Sequence, residues 1–398
     1  MNKKVTNFIS LLFCGLLIWY SYLEMTALET ESFASSSLAW TKVAIIITAL
    51  YLILRGGISK YRSTLKKYWY AWFFFLIIEF LLYLIVGNGG VFEYLHNFFA
   101  PFCFLLVYYL CILNSKSSDY LIWGFVGLFL FTGGYAVYLT LTYSIRLIEV
   151  GNLVSNLVFW PTCAFVFIPA VRNQVLKFVM FVPMILLVLF LAKRSAIIIV
   201  VLEILFFSFS MLKNSRRSKG KMSLVLYIVI GLITLNYITS NFSQFTENTF
   251  ERFEEMEDDK GSGRVVIYQI VTKNVLSFSP IEMIAGRGYG SFKETGHTNA
   301  HNDALQLLYE FGLIGLMFYI ALLLILFRRL KVVKKYAEEY YVGYIFCFIT
   351  IVVLGMFSNL ITFNSYFAFL CSYLAMAEAG VYRQRFLDNR RIIKPDKI

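Results

Sequence analysis

Two of the chain's three histidines, His297 and His301, stand four residues apart in a polar stretch that ends at Asp303. Imidazole titrates near neutral pH, so His301 is a candidate general base. An i, i+4 histidine pair can also bind zinc, but no glutamate follows His297 and no third ligand is evident, so we expect no metal. A structural alternative is that His301 caps the following helix or bonds Asn302 or Asp303.

Two cations at a break between apolar runs are a second source of chemistry. Lys193 and Arg194 separate two apolar stretches at a junction that the charge distribution places on the outer face of a membrane. Snorkelling of the side chains to lipid phosphates explains them without a function. An anion site facing a cavity is the functional alternative, because charged residues within membranes usually serve a function.

A glycine-rich turn at residues 286–290 has the sequence Gly-Arg-Gly-Tyr-Gly. Glycines permit positive φ and close approach of the backbone to a ligand, so the amide N–H groups here are candidate donors to phosphate oxygens, although the pattern alone is a weak signal. The turn follows no strand and is not a P-loop, which excludes kinase and ATPase functions.

These residues belong to a chain that is 59% hydrophobic and 15% charged, which excludes soluble and disordered proteins. The six cysteines all fall in apolar stretches, so we expect them to pack as small hydrophobic side chains. The fold class is predicted to be all-α, a polytopic transmembrane bundle of about twelve helices with one large outer loop that contains short helices. The predicted spans begin near Val5, Leu38, Tyr68, Phe98, Tyr120, Leu153, Val175, Ala196, Met222, Ala304, Tyr341 and Ser365.

The distribution of Lys and Arg between the spans predicts that both termini are cytoplasmic, because basic residues stay inside. The net charge of +12 follows from this bias and from attraction to anionic membrane lipids, so no nucleic acid partner is implied. The first apolar run has no small-residue cleavage site after it, so we expect it to remain as the first span.

The prediction divides the chain into spans one to nine (1–240), an outer loop with the candidate motifs (241–303), spans ten to twelve (304–382) and a basic cytoplasmic tail (383–398). Within the loop, residues 247–259 are predicted as an acidic, solvated helix. Residues 264–275 have helical apolar spacing, which suits a helix at the membrane interface.

The motifs between residues 190 and 315 together resemble the bacterial O-antigen ligase and O-antigen polymerase superfamily. The main signature is His301-Asn302, nine residues and then Gly312-Leu313-Ile314-Gly315. Three further matches are Lys193-Arg194-Ser195, Ser262-Gly263-Arg264 and the glycine-rich turn at 286–290.

The resemblance implies a metal-independent, inverting glycosyltransferase without a cofactor, in the bacterial inner membrane with its active site facing the periplasm. The donor would be an oligosaccharide on undecaprenyl diphosphate, and the acceptor a glycan. Arg194 and Arg264 would hold the diphosphate, with Arg287 as an additional contact, and His301 would accept the acceptor's hydroxyl proton. The further contacts expected from the motifs are Lys193, Gly288, Tyr289 and Asn302.

Within this superfamily we favour a polymerase of O-antigen or capsule, which adds the glycan to the non-reducing end of another lipid-linked repeat unit. A chain-length regulator is a candidate partner. Residues 241–303 carry six basic and ten acidic residues, so they lack a basic surface for a phosphorylated lipid A core. A ligase that attaches polymer to that core is the alternative.

Two alternatives concern the class of the protein and the identity of the base. A transporter of lipid-linked oligosaccharides is the alternative from another class, although the two halves show no paired broken helices. Glu24, Glu29 and Glu31 on the first outer loop are a competing set of bases, although topology and solubility alone would also produce an acidic outer loop.

Overall fold

The structure is a computed structural model that describes residues 3–26, 33–56, 63–86, 96–143, 157–191, 193–214, 264–297, 299–361 and 366–393. Every regular element in these residues is helical, which confirms the all-α part of the predicted fold class, while the large outer loop stays a prediction. The helices up to residue 214 are α1 (Lys3–Thr26), α2 (Phe33–Gly56), α3 (Thr64–Val86), α4 (His96–Leu113), α5 (Ser117–Tyr143), α6 (Phe159–Phe165), α7 (Gln174–Leu191) and α8 (Arg194–Asn214).

Residues 264–297 and 299–302 belong to the predicted outer loop and are named the outer segment. The second half of the described chain begins with the short elements of this segment and ends with long helices. These are α9 (Arg264–Leu276), α10 (Pro280–Ala285), a 3-10 turn (Ser291–Thr295), α11 (Asp303–Tyr336), α12 (Tyr341–Phe357) and α13 (Phe367–Ile393). Helix α13 continues well into the basic tail because no glycine or proline interrupts it after Gly380.

Five helical segments among the described residues are long and apolar enough to cross a membrane. They are Lys3–Thr26, Ser37–Arg55, Ser117–Leu139, Asp303–Tyr336 and Glu338–Phe357. Shorter apolar helical segments, Phe99–Leu113, Phe159–Ala170 and Gln174–Val188, lie at or near three more of the expected positions. The bundle of about twelve spans stays a prediction, and the span near Met222 and the acidic helix at 247–259 lie outside the described residues.

One large core joins the long helices, and it is rich in aromatic rings such as the stacked pair Phe125 and Phe167. All six cysteines are buried and unpaired, as expected from their apolar surroundings. Two carboxylates on apolar helices, Glu79 on α3 and Glu203 on α8, are buried, and Glu203 accepts a hydrogen bond from the Thr350 hydroxyl (3.2 Å).

A second, small core holds the outer segment on the first turns of α11. It consists of Ile267, Val271, Phe292, Ala300 and Tyr309. Its members come from α9, the 3-10 turn, the loop before His301 and α11 itself. The outer segment therefore packs as a compact layer directly at the start of a long helix.

Helix α11 is broken at Gly312, which has φ 61° and ψ −156°. A Cβ atom there would overlap the backbone of Ile284 and Gly286 at the end of α10, and a Cβ on Gly286 would overlap the backbone of Glu310. The two glycines thus let the chain after α10 touch the backbone of α11. This contact positions the glycine turn, residues 286–290, against the first part of α11.

Candidate functional site

His301 lies in the loop that leads into α11 and is held in the left-handed region at φ 50°. It is the only non-glycine residue with positive φ in the described parts of the chain, and such strain is often kept at functional sites. Its N–H donates to Oδ1 of Asn299 (3.2 Å), and its carbonyl oxygen accepts from the Tyr268 hydroxyl on α9 (3.4 Å). The backbone of His301 is therefore fixed from both sides.

The cap of α11 is Asn302, whose Oδ1 accepts from the Leu305 N–H (3.1 Å). The side-chain amide of Asn302 also donates to the carbonyl oxygen of Met356 (3.3 Å), which the Tyr268 hydroxyl contacts as well (3.4 Å). The capping role that the sequence left open for His301 thus belongs to its neighbour, and the imidazole is not needed for it.

Burial of the imidazole and the positive charges of Arg264, Lys193 and His297 lower the pKa of His301 from its ordinary 6.5 to about 4. The side chain is consequently neutral at neutral pH, which is the state that a general base requires. The same effect shows that the fold brings residues from the α7–α8 junction, the start of α9 and the loop before α11 into one electrostatic environment.

The predicted cations differ in their effect on the pKa of His301. Lys193 lies between α7 and α8, with Nζ 5.8 Å from the centroid of the Phe159 ring, and Arg264 is the first residue of α9. Arg194, the first residue of α8, is half-buried and does not contribute to the pKa shift of His301. The structure therefore associates Lys193, expected only as a further contact, with His301 more directly than Arg194.

Arg287 in the glycine turn contacts residues of the outer segment and of α11. Its Nε donates to Oε1 of Glu282 (3.1 Å), its Nη1 donates to the Tyr309 hydroxyl (3.2 Å), and the guanidinium lies 4.7 Å from the Phe278 ring centroid. Hydrogen bonds from Ser279 and the charge of Arg287 lower the pKa of Glu282, so this carboxylate stays ionised as a partner. Arg287 holds the turn in place.

The backbone amides of the glycine turn also have partners inside the protein. The Arg287 N–H donates to the Tyr309 carbonyl oxygen (3.1 Å), the Gly288 N–H to the Glu310 carbonyl oxygen (2.8 Å) and the Gly290 N–H to Glu310 Oε1 (3.1 Å). These three amides therefore fasten the turn to the broken helix.

Tyr289, another residue singled out in this turn, is half-buried and packs against the large core. Its ring thus connects the outer segment with the helix bundle and gives the turn a second anchor besides α11.

Sequence reasoning missed a buried polar ladder on the first part of α11, formed by Asp303, Gln306 and Glu310. Gln306 Oε1 accepts from the Ala300 N–H (2.7 Å), and Gln306 Nε2 donates to Glu310 Oε1 (2.7 Å). Because Glu310 also holds Gly290, this ladder links the glycine turn to the residue that precedes His301.

Asp303 extends the ladder to the chain after α12. Its carboxylate accepts from the N–H groups of Leu360 (3.0 Å) and Ile361 (3.2 Å), and Asn359 donates to Gln306 Oε1 (3.3 Å). The signal was present in the sequence, since these polar residues recur at i, i+3 and i+7 on one helical face. Buried polar groups in a membrane protein all need hydrogen-bond partners. We therefore expect this ladder to position the site around it.

Residues 179–320 match a family model described as O-antigen ligase. The resemblance to the O-antigen ligase and polymerase superfamily is confirmed. The match runs from α7 into α11 and contains His301, the cations around it, the glycine turn and the polar ladder. A search of curated proteins gave no match.

Members of the O-antigen ligase family are glycosyltransferase-like enzymes or ligases, and the family implies lipid-linked glycan substrates. Together with the apolar helices, the match indicates an integral membrane protein. The elements that converge on His301 all come from the matched segment, except the end of α12 and the loop that follows it.

Proposed function

We propose that this protein transfers a glycan from undecaprenyl diphosphate to a hydroxyl of a glycan acceptor, at the periplasmic face of the bacterial inner membrane. The observation that carries the proposal is the neutral imidazole of His301 beside Arg264 and Lys193, within the segment that matches the O-antigen ligase family. A base and fixed cations are the two groups that this transfer needs.

In the proposed step, a hydroxyl oxygen of the acceptor sugar attacks the anomeric carbon of the donor from the side opposite the diphosphate. The bond between that carbon and the phosphate oxygen breaks, and the oxygen keeps the electron pair. His301 accepts the hydroxyl proton on a ring nitrogen, and undecaprenyl diphosphate leaves as an anion. The configuration at the anomeric carbon is inverted.

Arg264 and Lys193 are proposed to hold the diphosphate, with Arg194 as a further cation at the same helix junction. Fixed positive groups stabilise the negative charge that develops as the bond to phosphate breaks. A diphosphate paired with Arg264 and Lys193 also offsets their charge, which raises the pKa of His301 toward its ordinary value. The base thus becomes stronger when the donor is bound.

We favour a polymerase that extends a lipid-linked repeat unit, with a chain-length regulator as partner, over a ligase that acts on the lipid A core. The acidic balance of residues 241–303 is the observation behind this choice. Of the competing bases, Glu24 lies in the last turn of α1, while Glu29 and Glu31 lie outside the described residues.

The test is a gel of surface polysaccharide from a deletion strain that carries the wild-type gene, His301→Ala, Arg264→Ala, Glu24→Gln or Lys273→Ala, with equal expression checked. Lys273 is an exposed cation on the same helix as Arg264, so it controls for loss of charge. We expect the wild type, Glu24→Gln and Lys273→Ala to give long chains, and the other two variants to give single-repeat bands.

Two outcomes would change the proposal. If the wild type restores only the attachment of polymer that is already long, the acceptor is the lipid A core and the protein is a ligase. If His301→Ala keeps wild-type chain lengths while Glu24→Gln abolishes them, the base is a carboxylate and the role given to His301 is wrong.

A further inference from the structure

A second cluster of charged residues lies at the other end of α11. Residues 313–336, after the break at Gly312, rise roughly 36 Å at about 1.5 Å per residue, which is more than the roughly 30 Å of membrane hydrocarbon. His301 precedes this stretch, and Arg329 lies in its last two turns. The two sites therefore lie at opposite ends of a helix that is long and apolar enough to cross a membrane.

The cluster is built around a buried ion pair between Arg329 and Glu378. Arg329 Nε donates to Glu378 Oε1 and Arg329 Nη2 to Glu378 Oε2, both at 2.7 Å, while the Ser63 hydroxyl also donates to Oε2 (2.7 Å). The carboxylate side chain is fully buried and the arginine side chain is 10% exposed. The two charges cancel, and the geometry ties α11, α13 and the start of α3 together.

A cavity of about 190 Å³ opens beside this ion pair. Two further cations line it, Lys67 from the first turn of α3 and Arg385 from α13, and both are exposed to solvent. Arg385 is held with its guanidinium 4.7 Å from the Tyr336 ring centroid. Since Glu378, the one acidic residue in the lining, is neutralised by Arg329, the wall has a net charge of about two positive units.

The cavity also offers neutral hydrogen-bond donors, among them the hydroxyl of Thr64 at the start of α3. Its volume is below the roughly 300–1,000 Å³ of pockets for drug-sized ligands, so it suits a small headgroup rather than a folded peptide. Basic pockets between helix ends at a membrane face bind the anionic headgroups of lipids.

We propose that this cavity is a binding site for a phosphate-bearing anion, with Lys67 and Arg385 as the cations that contact the phosphate and the pair Arg329–Glu378 as the rigid wall that holds them apart. The source of the phosphate is a phospholipid headgroup of the adjacent leaflet or a soluble phosphate. The site is separate from His301 and does not depend on glycosyl transfer.

The test measures the thermal unfolding of the purified full-length protein in detergent during titration with short-chain phosphatidylglycerol, the matching diacylglycerol without phosphate, or inorganic phosphate. The variant Lys67→Ala/Arg385→Ala is compared with Arg328→Ala/Lys331→Ala. The control pair removes the same charge from exposed positions at the same end of α11, outside the cavity lining.

We expect saturable stabilisation of the wild type and of the control by phosphatidylglycerol, no such response to diacylglycerol, and an apparent Kd at least about tenfold weaker in Lys67→Ala/Arg385→Ala. An equal response to inorganic phosphate would assign the site to a soluble anion. The proposal is overturned if both double variants respond alike, or if diacylglycerol stabilises as well as phosphatidylglycerol. If the Lys67→Ala/Arg385→Ala protein fails to fold, the double variant Lys67→Gln/Arg385→Gln removes the same two charges and takes its place.

Discussion

At the Arg329 end of α11 an arginine and a carboxylate cancel each other's charge inside the bundle, with every bond at 2.7 Å. At the Asp303 end, Gln306 and Glu310 interlock with backbone amides, and cations stand beside an imidazole that stays neutral. Both ends bury polar groups, which is costly in a membrane unless partners are supplied. The partners at the Arg329 end make the structure rigid, whereas those at the Asp303 end leave the imidazole of His301 available for reaction.

The comparison teaches that burial alone does not mark a reactive site. Arg329 is buried but fully committed to one carboxylate, so its charge is unavailable to a substrate. His301 is half-buried and strained at φ 50°, and its imidazole is not needed for the cap of α11. Five variants test this contrast.

The largest effect is expected from Arg329→Leu, which leaves the Glu378 carboxylate buried with the Ser63 hydroxyl. Removing one member of a buried ion pair costs about 3–5 kcal/mol of folding free energy. We expect a clear fall in the thermal unfolding midpoint in detergent. The double variant Arg329→Leu/Glu378→Leu should recover part of the lost thermal stability. An Arg329→Leu protein as stable as the wild type would contradict the structural role of the ion pair.

Gly312→Ala tests the break in α11. The added Cβ atom would overlap the Ile284 backbone, and the alanine would have to adopt a positive φ. Together these two effects cost about 3 kcal/mol of folding free energy. Gly288→Ala is the matched control, since Gly288 also has a positive φ (91°) but open space around it. The thermal midpoint should drop more for Gly312→Ala, and equal drops would show that the close contact of α10 with α11 is unimportant.

Gln306→Leu cuts the polar ladder: the Ala300 N–H loses its acceptor, and Glu310 Oε1 keeps the Gly290 N–H but loses the bond from Gln306. We expect a loss of about 1–3 kcal/mol in stability and shorter polysaccharide chains, because the loop that carries His301 loosens. Gln269→Leu makes the same chemical change at an exposed position of α9 and serves as the control. Chains of wild-type length in Gln306→Leu would separate the ladder from function.

The smallest effect is a shift in the titration of His301, followed by NMR of labelled histidine. Because Arg264 is one of the groups that lower this pKa, Arg264→Ala should raise it from about 4 toward 6.5. Lys273→Ala should leave it unchanged. A pKa that stays near 4 in Arg264→Ala would mean that Arg264 does not contribute to the shift.

The same pKa predicts how stability depends on pH. Between pH 6.5 and about 4 the unfolded chain binds a proton at His301 that the folded protein does not, so the folded state loses stability as the pH falls through this window. Above pH 6.5 the contribution is constant. His301→Ala should reduce the slope of the thermal midpoint against pH in that range.

Much of the fold could be predicted because helix formation in this chain depends on local composition. Runs of apolar residues predict helices at Val5, Leu38 and Tyr341, and helical spacing predicts α9 to within one residue of its end. The motif around His301 could be found for a similar reason, since its residues are close in sequence and their order matches the family.

The roles of Arg287, Gln306 and Gly312 could not be predicted in this way, because each depends on a partner far along the chain or on an exact backbone approach. Arg287 is isolated between glycines in the sequence, yet it is bound by Glu282 and Tyr309 in the fold. Gly312 belongs to the family signature, but the sequence does not show that α10 packs against its backbone.

The sequence by itself determined that the chain is an apolar helical protein with a polar motif at His301, because hydrophobicity and residue order are local properties. Only the tertiary structure decided that His301 is neutral, that Lys193 acts on it beside Arg264, and that the glycine turn binds α11 instead of offering its amides. Charge and hydrogen bonding are decided by distance in space, and distant segments meet only in the folded chain.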